Sequence, residues 1–160
     1  MRGKTLYRIK YHKDISKYNV KSGDLGGYIQ NEKNLSKKGD CVVLGNALVF
    51  EGSLVTGNAL VYGDSTIRGN AKISDNVEIW DSHISEDVEI SGKAKIESDG
   101  NRPSNISGNV KIYDNAKIIN GNISGKSKVY GNGEVNRGTL SGFAKIFGNM
   151  RLLGELQEKN

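Results

Sequence analysis

Residues Gly39 to Ser74 read GDCVVL GNALVF EGSLVT GNALVY GDSTIR GNAKIS when broken every six residues. The rule has six positions: a small turn residue, then Asn or Asp, a small residue, any residue, an aliphatic, and any residue. The aliphatics fall at Val43, Val49, Val55, Val61, Ile67, Ile73 and Ile79, each six apart. A repeat of this kind decides the architecture before any local propensity does.

Beyond Ile79 the spacing changes in a regular way. Ile84 follows after five residues, Ile90 and Ile96 after six each, and Ile106 after ten. Ile112, Ile118, Ile123, Val129, Val135, Leu140, Ile146 and Leu152 then follow in steps of six, six, five, six, six, five, six and six. Every third step is the short one, so three units form a higher-order period of 17 to 18 residues. The ten-residue step stands where five is expected, which places a five-residue insertion within Glu97 to Ser104, around Pro103, the single proline.

A six-residue apolar period would smear around a helix of 3.6 residues per turn. A hairpin meander would need longer strands with strict alternation. Short strands that turn at Gly-Asn or Gly-Asp, three to a coil, satisfy the spacing as a triangular parallel solenoid. Side chains two apart share a face, so Ala47 and Val49, and their equivalents in each repeat, point into the lumen. Glycine and asparagine tolerate the left-handed backbone of the corners. Cys41 stands in an alanine slot and is expected to be a buried small residue.

On these residues, the segment from Gly39 to Leu153 resembles the hexapeptide-repeat family, whose members form left-handed parallel β-helices. The glycine is displaced by one place from that family's usual pattern. The displaced form, Gly-Asn-Ala-x-Val-Tyr, and the upstream run Gly23-Asp24-Leu25-Gly26-Gly27-Tyr28-Ile29 are similar to a phage and prophage branch often labelled transferase or polymer-forming. The resemblance implies an all-β, left-handed three-sided β-helix with an N-terminal capping segment. It also implies a phage or prophage accessory protein acting in the host cytoplasm.

Composition narrows the field further. The chain has 160 residues and a formal charge of +5, but residues 1–40 hold ten Lys/Arg against four Asp/Glu, and the rest thirteen against fourteen. The basic excess therefore sits on the leader, as a solvated segment or as a patch for an anionic partner. The balanced body argues against a mimic of nucleic acid. One cysteine excludes an intrachain disulfide and a cysteine zinc cluster. No apolar run approaches the roughly 18 to 20 residues of a membrane span, and a cytoplasmic protein without membrane contact is expected. The expected division is a basic cap at 1–38, the β-helix at 39–153 and a charged tail at 154–160.

Sorting strands by their place in the cycle gives three outer faces. One face carries Lys111, Tyr113, Lys128, Tyr130, Lys145 and Phe147, stacking lysine on lysine and ring on ring. Like charges at the strand spacing repel, so an anion between them is favoured, and interleaved rings suit a nucleobase. The competing expectation is that the rings merely pack at a corner and the lysines solvate. A second face presents His83, Ser85, Asn105, Ser107, Asn122, Ser124, Thr139 and Ser141, a flat neutral strip. It is either a solvated face or a contact surface in a homo-oligomer, dimer or trimer. In the first coils the outward residues Leu48, Phe50, Leu54, Leu60 and Tyr62 are apolar and need cover, which residues 1–40 are placed to supply.

Catalytic chemistry is sparse. A thioester-dependent acyltransferase needs a general base, and only His12 and His83 exist. His83, with Asp81 and Glu86 nearby in sequence, is the weak candidate. The stretch Gly121 to Ser127 imitates a phosphate loop but is one residue short and continues the repeat. No metal-ligand spacing and no cofactor signature appear. The sequence therefore favours a non-enzymatic binding protein that engages a host defence factor or sequesters an anionic nucleotide. Nucleic acid is the less favoured partner. An acyl-CoA-dependent acyltransferase and a structural or assembly module are the alternatives.

Overall fold

The computed structural model describes residues 3–159. Apart from two single turns of 3-10 helix, Ser16–Tyr18 and Glu32–Asn34, its regular elements are short strands. They form three sheets of nine, seven and seven strands, and each sheet takes every third strand of the repeat. The neutral second face orders its aliphatics as Val49, Ile67, Ile84, Ile106, Ile123 and Leu140, in parallel register. The third face runs Val55, Ile73, Ile90, Ile112, Val129 and Ile146. The first face runs Val43, Val61, Ile79, Ile96, Ile118, Val135 and Leu152. The chain is a three-sided parallel β-solenoid of about eight turns, consistent with a hexapeptide-repeat β-helix.

The lumen is filled by the residues that the repeat sends inward. Val49, Val61, Ile67, Ile73, Ile79 and Ile84 are fully buried, as are the small partners Ala47, Ala59 and Ala71. At roughly 1.5–3 kcal/mol for each buried aliphatic side chain, this stack dominates stability. Cys41 is 4% exposed, in its alanine slot, and burial raises its thiol pKa. Corners take left-handed backbone. Gly125 has φ +73°, and a Cβ there would lie 2.7 Å from the carbonyl oxygen of Gly142 on the next coil. At two corners that are not glycine, a carboxylate reaches the next coil: Asp75 and Asp114 accept the N–H groups of Gly92 and Gly131 at 2.9 and 3.0 Å.

Parallel pairing continues past residues 39–153 at both ends. Leu25–Ile29 and Leu35–Gly39 pair in parallel with Leu48–Val49 and Leu54–Gly57, so the first coil begins inside the stretch assigned to the cap. The step from its third-face aliphatic, Leu35, to Val43 is eight residues, with a register shift within Leu35–Gly39, which masks the repeat. At the other end Glu155–Glu158 pairs in parallel with Thr139–Gly142, placing Leu156 beside Leu140 after a step of four from Leu152.

Tyr7–Lys10 runs antiparallel to Leu25–Ile29, and Ile9, Tyr11, Ile15 and Val20 join the core. Gly26 admits the cap, since a Cβ there would lie 2.8 Å from the Tyr11 ring. Of the outward apolar residues, Phe50 is buried with the Lys4 ammonium 5.0 Å from its ring centre. Tyr62 stacks on Trp80 at 6.2 Å.

Tyr11 also replaces a missing rung. Val43 lies on the terminal strand of its sheet. The Tyr11 hydroxyl donates to the Val43 carbonyl at 3.0 Å and accepts its N–H at 2.8 Å. Burial pushes the phenol up from 10.0 to about 12. The neutral phenol is therefore the stabilising form, complete below pH 10 and lost as pH rises to about 12. That gap corresponds to about 3 kcal/mol. Tyr11→Phe is expected to lose about 1–3 kcal/mol at neutral pH, because Val43 loses both partners, and to lack this alkaline decline. Urea denaturation of both proteins across pH 8–12 checks both effects.

Candidate functional site

Parallel, in-register stacking sets the geometry of the third face. Strands about 4.8 Å apart place equal positions above one another, so Lys72, Glu89, Lys111, Lys128 and Lys145 form one column. Two residues further along each strand, the rings form a second column on the same face. Tyr113 and Tyr130 stack with centroids 5.0 Å apart and planes 7° apart, and Tyr130 and Phe147 at 5.5 Å and 15°. The centroid distances approximate the rung spacing, so each ring covers its neighbour's face. Tyr130 has no free face left for a nucleobase. The outer face of Phe147, which is 46% exposed, is the open end of the ladder.

The lysines are not equivalent. Lys111 Nζ lies 3.3 Å from Glu89 Oε2, so the rung below neutralises it. Lys128 and Lys145 form no ion pair among the described residues. The cationic part of the ladder is thus these two lysines, on the last two coils of the third face. Burial, followed by the neighbouring Tyr130 and Asp114, raises the Tyr113 pKa, and the ring stays neutral at physiological pH.

On the second face, His83, Asn105, Asn122 and Thr139 fall in one column, with Ser85, Ser107, Ser124 and Ser141 following their aliphatics. Asn105 donates to the Asn122 side-chain carbonyl at 3.3 Å, so part of the strip satisfies itself. His83 is exposed and lies between two shallow depressions. One adjoins Asp64, Asp81 and Arg102; the other adjoins Thr66 and Asn105. The Asp64 carboxylate accepts from Asn46 at 2.9 Å, and that of Asp81 from the Asp64 N–H at 2.7 Å. No carboxylate is hydrogen-bonded to the His83 ring among the described residues. The orienting partner that activates a histidine base is therefore not in contact with it here.

The inserted loop is tied down by residues that the repeat pattern does not mark. Arg137 Nη2 meets Asp99 Oδ2 at 2.5 Å, and the Asp99 N–H donates to Asn120 Oδ1 at 2.9 Å. Ser98 Oγ closes the loop on the Arg102 carbonyl at 2.8 Å. Asn120 and Arg137 occupy corners with φ 49° and 56°. An arginine in a corner slot is the sequence signal for this tether. Among the described residues there is no cluster of three His, Cys, Asp or Glu side chains placed for a metal.

No protein-family model and no curated protein matches the chain. The class that the fold defines is a three-sided parallel β-solenoid, with homotypic side-chain columns on its outer faces. Among the described residues, no helix is long and apolar enough to cross a membrane.

Arg137, and after it the Asn101 and Asn120 contacts, holds the Asp99 carboxyl well below the usual carboxylate range. Its stabilising contribution is present above that range and is lost as pH falls through the lowered value. Arg137→Ala is expected to move Asp99 toward an ordinary aspartate and to shorten the acid range over which the loop stays ordered. NMR titration of the Asp99 carboxyl carbon in both proteins checks this.

Proposed function

We propose that the chain is a non-enzymatic binding protein on a β-helical scaffold, which holds an anionic nucleotide at the C-terminal end of the lysine and ring ladder. The observation that carries this reading is the pair Lys128 and Lys145. They stand in register on adjacent strands with no ion-pair partner among the described residues, beside the open ring of Phe147. Two ammonium groups at strand spacing repel by about 1 kcal/mol in water. A phosphate between them converts that repulsion into two charge-assisted hydrogen bonds. A base on the outer face of Phe147 extends a stack that two tyrosines already orient.

The Gly-Asn-Ala repeats and the Gly23–Ile29 run support a phage or prophage accessory protein working in a host cytoplasm, where removing a nucleotide signal needs binding rather than turnover. The flat strip from His83 to Ser141 is the face for a protein contact, with a second copy or a host factor. A binding role also agrees with a His83 whose ring meets no orienting carboxylate among the described residues.

Isothermal titration with a panel of nucleoside mono-, di- and triphosphates tests the site. Lys128→Glu/Lys145→Glu is expected to lower affinity at least about tenfold, a loss of some 1.4 kcal/mol or more. Phe147→Ala is expected to lose less. Lys111→Ala is expected to change little, because Glu89 already neutralises that lysine. Unchanged affinity in the double variant, or no binding by the wild type, contradicts the proposal. Acetyl-CoA turnover that disappears in His83→Ala would replace it with an acyltransferase.

A further inference from the structure

The N-terminal end of the solenoid carries a second feature that the ladder does not explain. Between the cap and the first coil lies a groove of about 490 Å³. One wall is the cap segment from Arg8 to Lys13, and the other is formed by Leu35, Ser36, Lys37 and Gly39. Neighbouring residues of a strand point to opposite faces. A groove lined by consecutive residues therefore meets both strands at their edges.

The outer edge of the cap strand is free among the described residues, whereas the other edge is partly taken: the Gly39 carbonyl accepts from Lys13 Nζ at 3.2 Å, the Ser36 carbonyl from the Cys41 thiol at 3.4 Å, and the Lys38 N–H donates to Ser36 Oγ at 3.1 Å. Tyr7–Lys10 is the terminal strand of its sheet and pairs only with Leu25–Ile29, while Leu35–Gly39 is the terminal strand of another and pairs only with Leu54–Gly57. Unpaired strand edges offer main-chain N–H and C=O groups to an incoming strand. The floor is apolar, with Ile9 and Ile15 buried. The rim is basic, and the carboxylate on it, Glu32, is taken by Lys37 at 2.7 Å. Lys13 is paired with Asp40 at 3.0 Å. Arg8 bonds the Tyr28 hydroxyl at 2.8 Å and lies over its ring, and it forms no ion pair among the described residues. Lys10 is exposed and forms no ion pair among the described residues.

We infer that this groove binds an extended acidic peptide segment of a partner protein by strand addition. Along the cap strand, Arg8 and Lys10 are exposed and Ile9 between them is buried. A strand laid against this edge presents acidic side chains to Arg8 and Lys10 and an apolar one to the floor. The segment selected is one that alternates acidic with apolar residues. A fatty carboxylate matches the charge and the floor but offers no N–H groups to the cap edge. The exposed strand Glu155–Glu158 of a second copy is the other chain with suitable charge, and the test separates it.

The probe is a short, capped, fluorescein-labelled peptide alternating glutamate with valine, followed by anisotropy on the full chain. Saturable binding is expected, and it should weaken as salt rises. Arg8→Glu/Lys10→Glu, at two exposed positions, is expected to weaken it about tenfold or more, with the circular dichroism spectrum unchanged and the melting temperature lowered only slightly by loss of the Arg8–Tyr28 contact. The same peptide with N-methylated backbone amides is expected to lose binding to a similar extent, because its side chains are intact while its edge is blocked. Lys128→Glu/Lys145→Glu is expected to leave peptide binding unchanged, which keeps this site separate from the nucleotide ladder.

Three results overturn the inference. One is an N-methylated peptide that equals its parent in affinity. Another is binding of dodecanoate where the peptide does not bind. The third is self-association of the chain, measured by sedimentation, that is abolished by Glu155→Lys/Glu158→Lys and competes with the peptide. That result would assign the groove to a second copy.

Discussion

The structure depends on one constraint: every strand must find its main-chain partners on the coils directly before and after it. A coil of three short strands has no hydrogen-bonded partner within itself. The repeat meets this demand by returning the chain to the same three directions once per coil, with an aliphatic at each inward slot. Contacts then run between neighbouring coils, as expected for a quasi-one-dimensional fold. Stability is set coil by coil, and the ends are the places where the rule has to be broken. At the N-terminal end Tyr11 supplies with one hydroxyl what an absent strand would have supplied at Val43. At the other end Leu156, on the last strand, and Leu153, in the bend before it, stay exposed.

The same stacking determines the surface chemistry. A side chain at a given position meets the equivalent one on the next coil, so each column must tolerate its own repetition. Three solutions occur. Amides satisfy one another, as in Asn115, Asn132 and Asn149. Rings stack, as in Tyr113, Tyr130 and Phe147. Opposite charges pair on the first face, where Lys95 meets Glu78 at 3.2 Å and Arg151 meets Glu134 at 3.0 Å within one column, while Lys117, which follows Lys95 in that column, is met at 3.0 Å by Glu97 from two residues along the strand. Exposed pairs of this kind contribute little, about 0–1 kcal/mol each. Among the described residues no such pair forms at Lys128 or Lys145, and this costs the fold little.

Much of the architecture was legible because the lumen accepts only a narrow set of residues. The three aliphatic columns, the ring ladder and the lysine column all follow from the steps of six, six and five. What escaped the reading lies where local geometry departs from the period. Gly27 and Ile29 occupy the small and aliphatic slots of the first coil, but the step of eight from Leu35 to Val43 conceals it. Leu156 enters its slot after four residues, within a stretch whose charge suggests a tail. The neutralisation of Lys111 depends on Glu89, one coil earlier and across the insertion, and composition on one strand does not report its neighbour. The tether from Arg137 to Asp99 spans 38 residues, a separation at which only the folded coils show which corner faces which loop.

The stack itself is most directly tested by pulsed dipolar spectroscopy with spin labels at positions 72 and 145. The two lysines lie far apart in sequence but are separated by four rungs of one column. A single narrow distribution centred at about 19 Å, widened by the label linkers, is the expected result for rungs about 4.8 Å apart. A mean distance of twice that value, or a broad distribution without a dominant peak, would contradict a parallel solenoid in this register.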